Sequence, residues 1–263
     1  EIDELGYLDK VNSPVDPVTE IGSLFDQSRK PLLFTDLKGF PGWTACGELQ
    51  AAALGVTPQE VIRELAQRFQ RGPLAGKRVA TGPVKERVYT GGDVDLTKLP
   101  IMNHSEKDGG PTIGAGMCVT KDPDTGAQNV ATLRLELKDA RRTGVLFVPR
   151  HSYKHFAEYE RRNEKMPMAV VIGHHPLLDV TATWSVPYGM DEFEVAGALL
   201  GEPLDMVDCE TIDLQAPARS EIVLEGHVLP NVRQAEGPFG EFQCYYLPGA
   251  GDNPIFEVSA VTM

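Results

Sequence analysis

The second half of this sequence is a succession of short apolar segments, each of strand length, separated by turn-forming residues. Segments 113–120 and 129–137 flank an Asp-Pro-Asp-Thr-Gly turn, and 144–148, 168–173, 221–226, 239–247 and 255–261 follow. Runs of this length bounded by Gly, Pro, Asn and Asp read as strands. Helical character interrupts them only at 152–164 and 191–200. Many short strands with few helices predict a barrel or a sandwich. The 20 prolines and 26 glycines are spread along the chain, which agrees with short elements and frequent turns.

The first third has a different pattern. Asp16-Pro17 forms an N-cap and first helical residue, leading Val18, Ile21, Leu24 and Phe25 at helical spacing. Residues 31–35 read as a short buried strand. Thr57-Pro58-Gln59-Glu60 is a capping box with Pro at the first helical position; Val61, Ile62, Leu65 and Phe69 follow on one face, and Gly72-Pro73 stops the helix. Residues 91–110 are polar and glycine-rich, which places a boundary near Leu99. The predicted fold class is therefore α+β: an α/β domain over 1–98 and a β domain over 99–263. A length of 263 residues suits one large domain or two smaller ones.

A net charge of −13 excludes a nucleic-acid-binding surface of the usual kind, because phosphate contacts need clustered Lys and Arg. It argues equally against anionic membranes. No apolar run approaches the roughly 20 residues of a spanning helix. The acidic start, Glu1-Ile2-Asp3-Glu4, lacks the pattern of a signal peptide. Cys46, Cys118, Cys209 and Cys244 form no CxxC and no zinc spacing, so they read as reduced thiols of a cytoplasmic protein.

Several polar residues stand beside strands. Asn129 opens a strand, His151 follows one, and Glu192 starts a helix. Individually they read as a turn residue, a partial cap and a charge favoured by the helix dipole. Together an amide oxygen, an imidazole and a carboxylate suit a divalent cation of the Mn or Mg type. In Glu236-Gly237-Pro238-Phe239-Gly240-Glu241, two acids bracket a rigid turn that can aim both carboxylates into one cavity; the alternative is a surface turn with two solvated acids. His174 and His175 are adjacent at a strand end and read as structural, and His104 and His227 have no evident partners. Phe147 and Phe242 line a flat pocket or belong to the core.

The segment Ser220-Glu221-Ile222-Val223-Leu224-Glu225-Gly226, followed by 236–241, resembles the signature region of the UbiD family of carboxy-lyases, which includes ferulic acid decarboxylase and the decarboxylase of ubiquinone synthesis. Asn129-Val130-Ala131-Thr132-Leu133-Arg134 resembles the family's cofactor-binding strand. Val148-Pro149-Arg150-His151 resembles the segment ending in a metal-binding His, and Asp191-Glu192 before Gly197-Ala198 the helix that supplies a metal-binding Glu. The resemblance covers nearly the whole chain. It implies a split β-barrel related to flavin reductases behind the α/β domain. It implies prenylated FMN held through its phosphate by Mn2+ (or Mg2+), with K+ nearby. Metal ligation falls to Asn129, His151 and Glu192, and further cofactor contacts to Thr132, Leu133, Arg134, Arg150, Thr183 and Trp184. Arg134, Glu236 and Glu241 fall on the family's catalytic network.

The implied activity is reversible, non-oxidative decarboxylation of an aromatic or α,β-unsaturated acid. Arg134 holds the substrate carboxylate and tunes Glu236, and Glu241 delivers the proton that replaces CO2. The implied partners are the small carboxylic acid, a flavin prenyltransferase and further copies of the chain. Two rivals are a non-catalytic UbiD-like subunit and a split-barrel flavin reductase using FMN and NADH. Compared with the family pattern, the chain starts a helix late and stops at Met263, about where a C-terminal domain begins. Without that domain the site is expected to be open on one side, and activity absent or weak. Arg150 stands where some members have Gln. Asn129 and Arg134 are an odd number of residues apart, so a regular strand points them to opposite faces; an irregularity near Thr132 is predicted.

Overall fold

The computed structural model describes residues 8–17, 20–28, 30–47, 49–57, 59–241, 245–247 and 251–263. Strand β1 (Asp9–Val11), helix α1 (Ile21–Gln27) and strand β2 (Leu32–Phe34) form a parallel β-α-β unit, and β3 (Ala45–Gly47) pairs antiparallel with β2. Val15, Ile21, Leu32, Phe34 and Leu37 make its small core. The helix predicted from Asp16 begins at Ile21; ahead of it the Glu20 amide donates to the Asp16 carbonyl at 3.0 Å and the Glu20 carboxylate accepts from the Asp16 amide at 2.6 Å, and Val18 lies outside the described residues. Helices α2 (Gln50–Leu54) and α3 (Val61–Phe69) follow. The predicted capping box is half made: Glu60 reaches back to the Thr57 amide at 3.2 Å, but the Thr57 hydroxyl donates to the Glu60 carboxylate at 2.8 Å instead of capping an amide, α3 begins only after Glu60, and Pro58 lies outside the described residues. Of the predicted apolar face of α3, Leu65 is buried, but Ile62 is 77% exposed. The contacts to Leu54, Leu177 and Leu199 are made by the side of the helix that carries Val61 and Leu65.

The remainder contains β4 (Lys77–Arg78), β5 (Val88–Thr90), β6 (Thr112–Lys121), β7 (Gln128–Leu137), β8 (Arg142–Val145), α4 (His151–Arg161), β9 (Met166–Ile172), α5 (Pro176–Thr183) and α6 (Glu192–Leu200). After these come β10 (Asp205–Asp208), β11 (Gln215–Pro217), β12 (Ile222–Ala235), β13 (Phe239–Glu241), β14 (Tyr245–Leu247) and β15 (Asp252–Thr262). Strands β12, β9, β6, β7, β8 and β15 lie side by side in that order, and β12 pairs with β15 to close a six-stranded barrel. Closure removes the exposed edges an open sheet would present. β5 extends the sheet beyond β15, and β4 joins β10 and β11 in a small separate sheet.

Side chains alternate between the two faces of the barrel wall with period two. Cys118, Leu133, Leu135, Met168, Val170, Leu224 and Phe256 fill the interior. Met117, Val119, Val130, Ala169, Val171 and Val223 face outward and pack under Leu178, Ala182, Phe193 and Ala196 of α5 and α6. Strands buried on both faces read as continuous apolar runs, which is why 168–172 carries no alternation.

Several sequence expectations are corrected. The 221–226 segment is only the start of a 14-residue strand, β12. Segment 239–247 is a hairpin, β13 with β14, rather than one strand. The strand placed at 144–148 begins and ends earlier, as β8. Helix α5 was not foreseen: Pro176 occupies its first position, and His175 caps it by accepting from the Leu177 amide at 3.3 Å. The predicted irregularity near Thr132 is absent. β7 pairs with β6 without a break from Gln128 to Leu133, and the register shift lies in β6 between Ile113 and Gly116, opposite Arg134.

Candidate active site

The parity problem is solved by an edge rather than by a bulge. β8 pairs with β7 only at Leu135–Leu137, so the preceding part of β7 has a free side. A cavity of about 390 Å3 lies along it, lined by Asn129, Val130, Ala131, Thr132 and Leu133 in succession, with Arg150, His151, Thr183, Trp184 and Glu192 opposite. Because the cavity meets the strand edge, residues of both parities reach it. The Val130 amide points across this edge and donates to Glu192 Oε2 at 2.7 Å. The Arg134 carbonyl points the same way and accepts from the Leu146 amide. Strand alternation then puts the backbone groups of Thr132 on this edge as well.

Two helix starts deliver the other side chains. α4 begins at His151, whose Nδ1 lies 3.1 Å from Asn129 Oδ1. α6 is capped by Asp191, whose side chain accepts from the Phe193 amide at 2.8 Å and from Gln128 Nε2 at 2.8 Å, so the start of β7 fixes the start of the helix that carries Glu192. Glu192 is 3% exposed. Burial pushes its carboxyl up to about 7, against the pull of the Val130 amide. His151 is lowered by burial and by the neighbouring Lys154 and Arg150 charges. A buried carboxylate is costly unless it is paired with a cation. Thr132 Oγ1 is likewise buried, with no hydrogen-bond partner in the structure. Amide oxygen, imidazole and carboxylate lining one cavity thus fit a hard divalent cation, and the free strand edge with its unsatisfied hydroxyl fits a polar planar ligand.

Just past Leu133 stands the second cluster. Arg134 donates from Nε and Nη2 to Glu236 at 2.8 and 2.7 Å, and from Nη1 to Glu241 at 2.6 Å. The side chains are 9%, 5% and 21% exposed, so the three groups of the network are largely shielded from water. Burial works against the Arg134 charge, but Glu236 and Glu241 outweigh it and hold the guanidinium above its ordinary value. The guanidinium also covers the Phe239 ring at 4.7 Å.

The turn carrying both acids is held by the glycine-rich stretch before β6. Asp108 accepts from the Gly240 amide at 2.8 Å, and the Gly109 amide donates to the Pro238 carbonyl at 2.7 Å. A Cβ on Gly109 would sit 2.4 Å from Gly237 Cα, so this clasp needs glycine on both sides. Glu136 accepts from the Gly237 amide at 3.0 Å.

All the predicted site residues are therefore distributed between one cavity and one adjoining network. Arg150 sits at the cavity rim and donates to Ser185 Oγ at 2.7 Å. Trp184 packs on Phe69 with ring centroids 4.9 Å apart, and the Thr183 hydroxyl bonds back to the Asp179 carbonyl. His174 pairs with Asp179 at 3.3 Å, and Phe147 stacks on Phe156 at 5.2 Å, next to the interior core. Phe242 and Cys244 lie outside the described residues. Residues not foreseen are Ser152, Thr120, His155, Tyr188 and Asp122, which lie behind Asn129. One signal for them stood in the sequence: His151 and His155 are four apart on a helix and so share a face. Burial lowers His155 to about 4.

The profile described as the 3-octaprenyl-4-hydroxybenzoate carboxy-lyase Rift-related domain matches residues 77–263, and that of the N-terminal domain of the same lyase matches 1–69. The chain is 41% identical to anhydromevalonate phosphate decarboxylase of Methanothermobacter thermautotrophicus over 57% of this chain and 36% of that one. It is 31% identical to phenolic acid decarboxylase of Bacillus subtilis over 97% of this chain and 61% of that one. Among solved structures, the UbiD-class enzyme HmfF of Pelotomaculum thermopropionicum, in an evolved dimeric form in complex with prFMN, superposes with a TM-score of 0.91 at 39% identity, over 99% of this chain and 63% of that one. Vanillic acid decarboxylase of Sedimentibacter hydroxybenzoicus superposes with a TM-score of 0.92 at 31% identity, over 99% and 60%. The chain thus spans less than two thirds of the length of these relatives. No helix among the described residues is long and apolar enough to cross a membrane. The profile matches, the barrel and the paired clusters agree: the chain belongs to the UbiD family of carboxy-lyases.

Proposed function

We propose that this chain binds prenylated FMN through a divalent cation and carries the reacting groups of a reversible, non-oxidative decarboxylase acting on an aromatic or α,β-unsaturated acid. The observation that carries this is the adjacency on one strand of a cavity holding Asn129, His151 and Glu192 and a network in which Arg134 binds Glu236 and Glu241. Asn129, His151 and Glu192 would hold Mn2+ or Mg2+, with the flavin phosphate as a further ligand. Thr132, Leu133, Arg150, Thr183 and Trp184 would border the flavin. A neighbouring K+, a prenyltransferase supplying the cofactor, assembly into homo-oligomers and a cytoplasmic setting belong to the same proposal. So does a division near residue 98, with 77–98 as a connection that already hydrogen-bonds to the barrel through β5.

When bound, the cofactor supplies the electron sink for carbon–carboxylate cleavage; the protein contributes position, charge and a proton. Arg134 has five N–H donors, and three are used on the two acids. One N–H on each of Nη1 and Nη2 is left for the substrate carboxylate, which a planar fork receives in one orientation. As the bond to the carboxylate breaks and CO2 leaves, the carbon takes a proton held at Glu241. Glu236, bound at two points, keeps the guanidinium plane fixed throughout.

The test is to load the chain with prenylated FMN and Mn2+ and measure CO2 release and H/D exchange on a panel of aromatic and acrylic acids. Turnover of the chain by itself is expected to be weak, and that turnover to fall by a further roughly 100-fold or more in Arg134→Lys and Glu241→Gln, the scale of a lost general acid or preorganised donor. Turnover indifferent to both substitutions would reject the assignment.

A further inference from the structure

We propose that a relay from Asp122 through the partly exposed Tyr188 and the buried His155, Thr120 and Ser152 orients the Asn129 amide, making these five residues positioning groups for the divalent cation. The inference rests on the assignment of Asn129, His151 and Glu192 as that cation's ligands, and it assigns a task to residues the mechanism leaves unused.

The links are each within hydrogen-bonding distance. Tyr188 donates its hydroxyl to Asp122 Oδ2, and His155 Nε2 lies 3.3 Å from the Tyr188 oxygen. His155 Nδ1 lies 3.0 Å from Thr120 Oγ1, Thr120 Oγ1 lies 3.3 Å from Ser152 Oγ, and Asn129 Nδ2 donates to Ser152 Oγ at 2.8 Å. Thr120 and His155 are fully buried, Ser152 is 4% exposed and Asn129 is 5% exposed, so water does not compete for these groups. The far end is anchored: Asp122 Oδ1 accepts from the amides of Asp124 at 2.9 Å and Thr125 at 3.0 Å.

The proton order begins at that anchor. An ionised carboxylate only accepts, so the single Tyr188 proton is committed to Asp122. The Thr120 hydroxyl donates to Ser152 Oγ, which leaves Thr120 Oγ1 to accept from His155 Nδ1–H, with the Tyr188 oxygen packed at the other end of the ring beside Nε2. Ser152 Oγ is thus an acceptor. The only group of Asn129 that can satisfy it is the amide N–H. Asn129 Oδ1 is thereby turned to the cavity and to His151. A flipped amide would set two acceptors against each other at Ser152 and offer the cation an N–H in place of an oxygen. Outer partners that fix a ligand's orientation in this way are a regular part of metal sites.

The test is a Mn2+ titration of the full, flavin-free chain, with free ion read by electron paramagnetic resonance and thermal unfolding measured in parallel. Asn129→Ala is expected to lose binding. Ser152→Ala and the near-isosteric Thr120→Val are expected to weaken it roughly 10- to 100-fold, the usual effect of removing an outer partner. Thr120→Ser, which restores the hydroxyl, should recover wild-type affinity. Tyr188→Phe, at a partly exposed residue that leaves the core intact, should show a smaller loss in the same direction even if the buried variants fail to fold. If Ser152→Ala, Thr120→Val and Tyr188→Phe bind Mn2+ like the wild type while Asn129→Ala does not, the relay is merely structural and the inference is overturned, with the cation site still standing. If Asn129→Ala itself binds like the wild type, the cation site is wrong.

Discussion

Arg134 joins residues that are 102 and 107 positions away, and its three charge-assisted bonds are made with little help from water. Taking the cation out of such a cluster leaves carboxylate charge in a place that cannot solvate it. Arg134→Met is therefore expected to lower unfolding stability by about 3–5 kcal/mol, whereas replacing Glu236 by Leu in the same chain should return much of that loss. Urea denaturation of the two variants checks it; equal stability of Arg134→Met and wild type would contradict the account. A second residue-scale prediction concerns His155. Its folded-state value of about 4 lies below the ordinary 6.5, because burial opposes its charge. A lowered value means stability that is complete above pH 6.5 and lost as pH falls through about 4. That contribution is worth up to about 3 kcal/mol. His155→Gln should flatten the stability profile over that window relative to wild type, as read by denaturant unfolding at several pH values. At this scale the sequence showed the acids and their rigid turn, because Gly-Pro-Phe-Gly between two Glu is a local pattern. Arg134 as their partner was not readable from spacing and came only through family resemblance.

Elements explain what residue spacing could not. The odd separation of Asn129 and Arg134 pointed to a distortion in their own strand, but pairing is cooperative, and the irregularity went to β6, where Gly114 and Ala115 let the chain bulge opposite Arg134. β7 stays regular and meets the cavity along an edge, a property of how far β8 extends rather than of any residue in β7. Helix α5 was hidden for a related reason. Its hydrophobic face has little contrast because it is buried between barrel and α6, and His174 and His175 just before it were weighed as a strand end. The polar, glycine-rich stretch before β6 also clasps the turn that carries the two acids. This gives an element-scale prediction. In Gly109→Ala the new methyl meets Gly237 backbone, and both chains must separate. A lower melting temperature is expected together with a loss of turnover in the cofactor-loaded protein, since Glu236 and Glu241 move with the hairpin. A variant with wild-type turnover would show that the clasp does not position the acids.

At the scale of the whole molecule, the barrel supplies a rigid wall and the helices packed outside it supply the cavity. The interior is packed with side chains such as Leu135, Met168 and Phe256. The barrel itself was legible from short apolar segments between turns, while its closure by β12 and β15, paired across a long sequence separation, was not. The account places the cofactor on the outside of this wall, along the free edge of β7, with its phosphate end at α4 and α6 and its reacting end toward Arg134. The most direct measurement is an anomalous difference map at the manganese edge from crystals grown with Mn2+ and FMN. The account predicts one strong peak about 2 Å from Asn129 Oδ1, a His151 nitrogen and a Glu192 oxygen, with flavin density running along β7 toward Arg134. A peak bound elsewhere, or flavin density that leaves the β7 edge bare, would contradict it.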